Sequence, residues 1–135
     1  LGDVYKRQQL RQFFGDNQTI EKEAISDLDK GFVSRFKSLV EERMKDAELN
    51  VEDLGRNMGM SRVQLYRKLK SLTNYSPNEL LRQMRLKKAA SLLASSDMTV
   101  AEIAYEVGFS SPSYFTKCYK EQFGESPTEF LKRRG

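Results

Sequence analysis

Residues 99–133, TVAEIAYEVGFSSPSYFTKCYKEQFGESPTEFLKR, contain a complete pattern of helix starts and glycine turns. Thr99 and Glu102 have the spacing of a capping box, which predicts the start of a helix. Gly108 follows the end of that helix, where the chain needs a positive φ that glycine adopts at low cost. The Ser-Ser-Pro run at 110–112 then restarts a helix. A helix, a short glycine turn and a second helix predict a helix-turn-helix.

A second copy of this pattern lies 49 residues earlier. Gly59 corresponds to Gly108, and with one extra residue in the second copy the Ser-Pro pair at 76–77 corresponds to the pair at 126–127. On the offset of 49, the second helices align as Leu65 with Tyr114, Lys68 with Lys117 and Leu69 with Cys118. Because the punctuation repeats in order, we predict an all-α fold of about seven helices, with two helix-turn-helix units joined by a long connecting helix.

The chain divides into three parts. Residues 1–8 resemble the translation of a transposon adaptor and are predicted to be a non-native or tail segment. Residues 9–30 are acidic and polar, and predict a linker from a missing upstream domain. Residues 31–135 have a clear helical period and predict the folded domain. Its parts are the first helix-turn-helix at about 50–72, the connecting helix at about 77–94 and the second helix-turn-helix at about 99–123.

Composition excludes several kinds of site. The chain has no histidine and a single cysteine, Cys118. This excludes Cys/His zinc sites, His-dependent triads and a disulfide within the chain. Cys118 lies on an apolar helical stripe and is interpreted as a small buried hydrophobe. Because no phosphate loop or paired-carboxylate cleft can be identified, we expect no enzymatic activity, no metal and no cofactor.

Charge and hydropathy indicate the compartment and the class of partner. No run of about 20 apolar residues and no signal peptide is present, which predicts a cytoplasmic, reduced protein without membrane contact by this segment. The net charge is +4 and the pI is near 9.2. A basic folded part suits a polyanion, although many unrelated domains are equally basic.

The positive charges concentrate in two acid-free clusters. A charged run is usually a solvated helix face, but a basic second helix in a helix-turn-helix fits the major groove of DNA. The capped start of such a helix also points backbone N–H groups at phosphates. The clusters are Arg62, Arg67, Lys68 and Lys70 in the first unit, and Arg82, Arg85, Lys87 and Lys88 in the connecting helix.

Two stretches carry a resemblance to a known family. IAYEVGFSSPSYFTKCYKEQFGESPTEF (103–130) and MGMSRVQLYRKLK (58–70) resemble the AraC/XylS family of transcription regulators, and the resemblance covers about residues 31–134. It implies sequence-specific binding of double-stranded DNA, with two recognition helices in adjacent major grooves. A connecting helix of 18 residues would be about 27 Å long, against about 34 Å between successive grooves.

The resemblance extends to the larger protein. Residues 9–30 with the first unit resemble the segment that precedes this domain in hybrid two-component regulators. This implies the output domain of a response regulator, with receiver and sensor domains upstream and RNA polymerase as a partner. It also implies a tether to the inner membrane where the sensor domain spans it.

The resemblance assigns base-facing residues to each second helix. In the first unit, Arg67 can bind guanine bidentately and Val63 can contact a thymine methyl. Gln64 can pair with adenine or serve only as the capping-box partner. The second helix lacks the glutamine and arginine of some relatives and is expected to contact more backbone than bases. The full sets are Arg62, Val63, Gln64, Tyr66 and Arg67 in the first helix, and Ser111, Pro112, Ser113, Thr116 and Lys117 in the second.

The remaining predictions concern phosphates, aromatic residues and competing functions. Tyr114, Phe115, Tyr119 and Phe123 are interpreted as core and not as a stacking platform, which disfavours sequence-specific RNA binding. The alternative of another class is a helical protein-interaction module that binds an acidic partner. The phosphate candidates are Ser61, Lys68, Lys70, Arg82, Ser110 and Lys120.

Overall fold

The computed structural model describes residues 26–135, and this part of the chain forms helices and no strands. The all-α prediction with seven helices is confirmed. In chain order the helices are α1 (Asp27–Arg43), α2 (Val51–Asn57), α3 (Arg62–Thr73), α4 (Pro77–Ser95), α5 (Val100–Glu106), α6 (Pro112–Phe123) and α7 (Pro127–Arg134).

Helix α1 begins before the apolar period becomes clear at Gly31. Asp29 N–H donates to Ser26 Oγ at 3.3 Å, and Asp27 and Asp29 lie in the first turn, where carboxylates are favoured by the helix dipole. Residues 27–30 therefore belong to α1, although their acidic composition resembles that of a linker. The predictions for residues 1–25 lie outside the described residues.

The chain divides into two compact units. The first contains the described residues up to Leu39 together with Val51–Pro77, and the second contains Val40–Asn50 and Asn78–Gly135. In the first unit, α2 and α3 pack against each other and bury Leu54, Leu65 and Leu69. The buried side chains of α1 in this unit are Phe32, Val33 and Phe36.

The core of the second unit is built on α4, α5 and α6. Phe109 and Phe115 are at its centre, with ring centroids 5.2 Å apart, and Cys118 is buried beside them as predicted. Phe130 and Leu131 of α7 pack against this cluster. Its other buried members are Leu86, Ala89, Leu93, Ile103, Ala104, Val107 and Tyr119.

The turn of the second unit is held by a segment distant in sequence. Gly108 has φ +100°, and a Cβ there would lie 1.8 Å from the carbonyl oxygen of Met44. Arg85 spans the same place, because its Nε donates to Met44 O at 3.1 Å and its Nη2 donates to Asp46 O at 2.8 Å. Burial lowers the pKa of the Arg85 guanidinium from its ordinary value. Arg85 therefore acts inside the unit and is not part of an exposed basic cluster.

The internal repeat is visible in the backbone of the two turns. Gly59 N–H donates to Arg56 O and Gly108 N–H donates to Tyr105 O, both at 3.1 Å. The next residue of each turn, Met60 or Phe109, donates across the end of the helix to a carbonyl five residues earlier, at 2.8 and 2.9 Å. The two turns thus have one conformation at an offset of 49 residues.

The offset changes to 50 at the second helix of each unit. Ser61 is the N-cap of α3, and the N-cap of α6 is Ser111 and not Ser110. The extra residue of the second copy is therefore Ser110, in the turn, and the offset of 49 predicted along the second helices is wrong. Packing requires this register, because Leu65 and Phe115 are then equivalent and both are fully buried.

Candidate nucleic-acid interface

Helix α3 begins at a complete capping box. Gln64 N–H donates to Ser61 Oγ at 3.1 Å, and Ser61 N–H donates to Gln64 Oε1 at 2.9 Å. These bonds satisfy two of the N–H groups that a helix start leaves without partners. The Gln64 side chain is therefore engaged in capping, the second of the two roles predicted for it.

The two faces of α3 differ sharply. Leu65 and Leu69 are fully buried, whereas Val63 and Tyr66 are 56% and 47% exposed. Positions that share a helical face with Val63 recur every three or four residues, so the exposed side chains form one continuous surface. This surface brings together all five side chains predicted to face bases in the first unit: Arg62, Val63, Gln64, Tyr66 and Arg67.

Two lysines of α3 have partners within the first unit. The Nζ of Lys68 lies 4.6 Å from the ring centroid of Phe32 in α1, a cation–π contact. The Nζ of Lys70 donates to Asn74 O at 3.2 Å, at the C-terminal end of the helix. Both lysines therefore make contacts within the first unit and also contribute to the basic character of α3.

Helix α6 has the same frame and a different surface. Ser111 Oγ accepts from Tyr114 N–H at 3.1 Å, and Pro112 occupies the first turn. Ser111, predicted to face bases, is thus the N-cap. Ser113 and Lys117 are exposed, as predicted for base-facing positions, while Pro112 and Thr116 are half-buried.

Tyr114 lies on the exposed face of α6 and not in the core, where the sequence pattern predicted it. Its side chain is 49% exposed, although an alignment with the buried Leu65 predicted it to be core. With the register corrected, Tyr114 is equivalent to Gln64, the third residue of the helix and part of the exposed face. The signal that could have shown this is the Ser-Pro start of α6, because Pro in the first turn identifies Ser111 as the cap.

The other three aromatic residues of α6 divide in the same way. Phe115 and Tyr119 are buried as predicted, with ring centroids 5.8 Å apart. Phe123 is 39% exposed and lies 4.6 Å from Tyr119, so it covers the end of the core. The core prediction therefore holds for the two central rings only.

The predicted phosphate candidates lie at helix starts and on exposed surfaces. Ser61 caps α3, and Ser110 is exposed in the turn before α6. Lys120 is exposed in the last turn of α6, and Arg82 is half-buried in α4. Within residues 26–135 no group of acidic and cysteine side chains could hold a metal ion. The same residues contain no helix with the length and apolarity of a membrane span.

A family model described as a helix-turn-helix domain matches residues 54–133, more than half of the chain. The chain belongs to the AraC-type helix-turn-helix family. The AraC/XylS family predicted from the two quoted stretches is confirmed. The two helix-turn-helix units predicted from the repeat are present in the structure.

This AraC-type domain is similar to a curated protein and to two solved structures. Histidine kinase P4 of Formosa agariphila is 37% identical over 109 residues, which are 81% of this chain and 8% of that protein. The C-terminal domain of AraT, a response regulator from Geobacillus stearothermophilus, has a TM-score of 0.72 at 28% identity, with 83% of this chain and 89% of that chain covered. The DNA-binding domain of AdpA, solved in complex with a target DNA, has a TM-score of 0.70 at 30% identity, with 74% and 89% covered. The chain spans less than half of the length of the curated relatives it matches first.

Proposed function

We propose that this AraC-type domain binds specific sequences of double-stranded DNA as the output domain of a transcription regulator. The observation that carries the proposal is the exposed face of α3, which combines basic, polar and apolar side chains above the buried Leu65 and Leu69. No acidic residue occurs anywhere in α3. The family assignment and the likeness to the DNA-bound AdpA domain support the proposal.

Helix α3 is assigned the larger share of base recognition. Arg67 is exposed and can bind the O6 and N7 atoms of guanine bidentately. Val63 can contact a thymine methyl, and Arg62 and Tyr66 complete the face. A bidentate pair of this kind discriminates between bases by about 1–3 kcal/mol.

Helix α6 is assigned mainly to the sugar-phosphate backbone. Its exposed side chains at Ser113 and Lys117 are short or singly charged, and the N-terminus of the helix, the positive end of its dipole, favours an anion. Thr116 and Pro112 are half-buried and offer apolar contact. The phosphate contacts proposed for the two units are Ser61, Lys68, Lys70, Arg82, Ser110 and Lys120.

The intact protein is proposed to be a two-component regulator. The relative from Formosa is a histidine kinase of which this chain matches only a small part, and AraT is a response regulator whose C-terminal domain matches. We therefore expect receiver and sensor domains upstream, RNA polymerase as a partner, and a cytoplasmic location for this domain. No catalytic activity is proposed for the domain itself.

Selection from random duplexes tests the DNA-binding proposal directly. The 135-residue chain should enrich a motif with two half-sites about one helical turn apart, if both units read bases. A single enriched half-site would restrict base reading to one unit. Binding should weaken steeply with salt, because each phosphate contact releases counterions.

The same selection separates the protein-interaction alternative. A module for an acidic protein would bind duplexes weakly, without sequence enrichment, and would lose them at modest salt. None of the three relatives named above supports that alternative, but absence of enrichment would contradict sequence-specific DNA binding and bring it forward.

A further inference from the structure

A cleft of about 360 Å³ lies within the second unit, at the start of helix α6. It is open to solvent, and its polar lining side chains are those of Asn78, Arg82, Arg85, Ser110 and Tyr114. None of the described residues that line it is acidic. The cleft thus combines two guanidinium groups with hydroxyl and amide donors, which is a lining suited to an anion.

The two arginines of the cleft are not equivalent. Arg85 donates to Met44 O and Asp46 O, so two of its five N–H donors serve the fold. Arg82 lies three residues earlier in α4 and is half-buried. No carboxylate of residues 26–135 forms an ion pair with Arg82. Its guanidinium hydrogen-bonds the Tyr114 phenol, but no carboxylate neutralises its charge, so its other N–H donors can bind an anion.

Tyr114 supplies a second donor beside Arg82. Its pKa is raised, mainly by a hydrogen bond with the Cys118 thiol, while Arg82 acts on the phenol in the opposite direction. The phenol is therefore protonated at neutral pH. It has a single proton, so it donates to an anion by turning this O–H from the Cys118 thiol, a weak acceptor, toward the cleft. Its ring packs against Phe109, with centroids 5.8 Å apart, and this contact restricts the position of the hydroxyl.

The cleft opens where a recognition helix meets the DNA backbone. Ser110 precedes the N-cap Ser111, and the N-terminal turn of α6 follows directly. When a recognition helix enters a major groove by its N-terminal residues, phosphates flank that end of the helix. A phosphodiester is thus the anion that this position would meet.

We propose that Arg82, Tyr114 and Ser110 form a phosphate clamp that holds one DNA backbone phosphate at the mouth of this cleft. The inference rests on the proposed DNA-binding function. It adds Tyr114 to the phosphate contacts and locates this contact at the mouth of the cleft. Arg82 binds two phosphate oxygens through its guanidinium, and the hydroxyl groups of Tyr114 and Ser110 donate to the same group. The clamp sets the position of α6 on the duplex without reading a base.

Paired variants of the 135-residue chain test the clamp on the selected duplex. Arg82→Gln should weaken binding about tenfold on all sequences and reduce the salt slope by about one. Tyr114→Phe removes only the hydroxyl and should weaken binding about threefold, with the salt slope unchanged. The controls are Lys88→Gln, which removes a charge from the same helix outside the cleft, and Tyr105→Phe, an exposed tyrosine of the same unit. Losses equal to those of the controls would overturn the clamp.

A scan of the duplex with single neutral methylphosphonates locates the phosphate. Its first readout uses the unmodified chain, so it does not depend on how a variant folds. The unmodified chain should lose about tenfold at one position near the half-site of α6. At that position Arg82→Gln should lose little more, because the contact is already absent. Additive losses at every position would contradict the clamp.

Pyrophosphate binding in the absence of DNA tests whether the cleft holds a free phosphorylated ligand and not a DNA phosphate. Binding to the unmodified chain but not to Arg82→Gln, with equal DNA affinities for both, would assign the cleft to a free phosphorylated ligand and overturn the clamp. If the unmodified chain selects no duplex at all, the proposed function fails and not the clamp alone. If it selects a duplex that the variants bind equally well, only the clamp fails.

Discussion

Helices α3 and α6 occupy equivalent places in the two copies of the repeat, and their backbones begin and end in the same way. Each has a serine N-cap whose Oγ accepts from the N–H of the third residue of the helix at 3.1 Å. Each ends at a residue in the left-handed region, Asn74 or Gly124, whose N–H donates to a lysine carbonyl at 2.9 or 2.8 Å. The frame of the two helices is one design.

The exposed faces built on that frame differ in chemistry. Helix α3 carries four basic residues and no acid, whereas α6 carries two lysines and Glu121. At the third position of the helix, Gln64 completes a capping box in α3, and Tyr114 extends toward a cleft in α6. The cap, the buried residue and the turn are common to both helices, whereas the exposed positions differ, and we propose that this difference divides base reading from backbone contact.

The two glycine turns also differ, although their hydrogen bonds match. A Cβ at Gly59 would meet nothing within 4 Å, but a Cβ at Gly108 would lie 1.8 Å from Met44 O. Both residues have positive φ, so both positions disfavour other residues. Within residues 26–135, a segment distant in sequence approaches the second turn at its glycine and none approaches the first.

The largest expected effect separates these turns. Gly59→Ala should lower the free energy of unfolding by about 1 kcal/mol through the φ preference alone. Gly108→Ala should lower it by roughly 3–5 kcal/mol, because strain and overlap with a backbone oxygen add together. Urea denaturation of both variants measures the difference. Equal losses would mean that residues 44–46 do not close the second turn.

The next effect concerns base reading. Arg67→Ala should weaken binding to the selected site by about 1–3 kcal/mol and relax the base preference at one position. Lys117→Ala, at the equivalent position of α6, should weaken all sequences about equally. Competition with single-base variants of the site measures both. An unchanged preference in Arg67→Ala would remove Arg67 from the reading set, and a selective loss in Lys117→Ala would make α6 a base reader.

The role of Gln64 can be decided by a smaller effect. As a capping residue, Gln64→Ala should lower the free energy of unfolding by about 0.5–1 kcal/mol and leave base preference unchanged. A loss of preference for adenine at one position would show that the side chain leaves the cap and binds a base. Thermal unfolding and competition binding on the same preparation provide the two readouts.

The smallest expected effect is a difference in pH dependence between two capping boxes. Hydrogen bonds from Thr99 lower the pKa of Glu102 below its ordinary value of 4.5. Since the folded-state pKa is depressed, this contribution is present above pH 4.5 and is lost as pH falls through the folded-state value. Glu102→Gln, which copies the box that Gln64 makes in α3, should flatten the fall in stability in that range. An unchanged profile would contradict the contribution of Glu102.

Much of this structure could be predicted from short sequence patterns. The capping boxes at Thr99 and Ser61, and the positive φ of Gly108, depend on residues within a few positions of each other. The same holds for the buried spacing of Leu65 and Leu69. Local hydrogen bonding and helical period decide these features, so they can be read from the chain directly.

The register of the repeat could not be predicted from short sequence patterns alone. Gly59 and Gly108 align at an offset of 49, but the caps at Ser61 and Ser111 align at 50. Apolar and aromatic residues occur at both offsets, so periodicity alone allows Tyr114 to be assigned to the core. Packing selects Phe115, because only one of two neighbouring positions on a helix can face the interior.

The helical fold, the glycine turns and the capping boxes at Ser61 and Thr99 could be predicted from the chain alone, because they follow from interactions between near neighbours. Only the tertiary structure decided that Arg85 binds Met44 and Asp46 and that Tyr114 lies at an open cleft with Arg82. Arg85 and Met44 are 41 residues apart, and no local pattern records such a contact. Which charges are free for DNA and which hold the domain together is therefore a property of packing and not of composition.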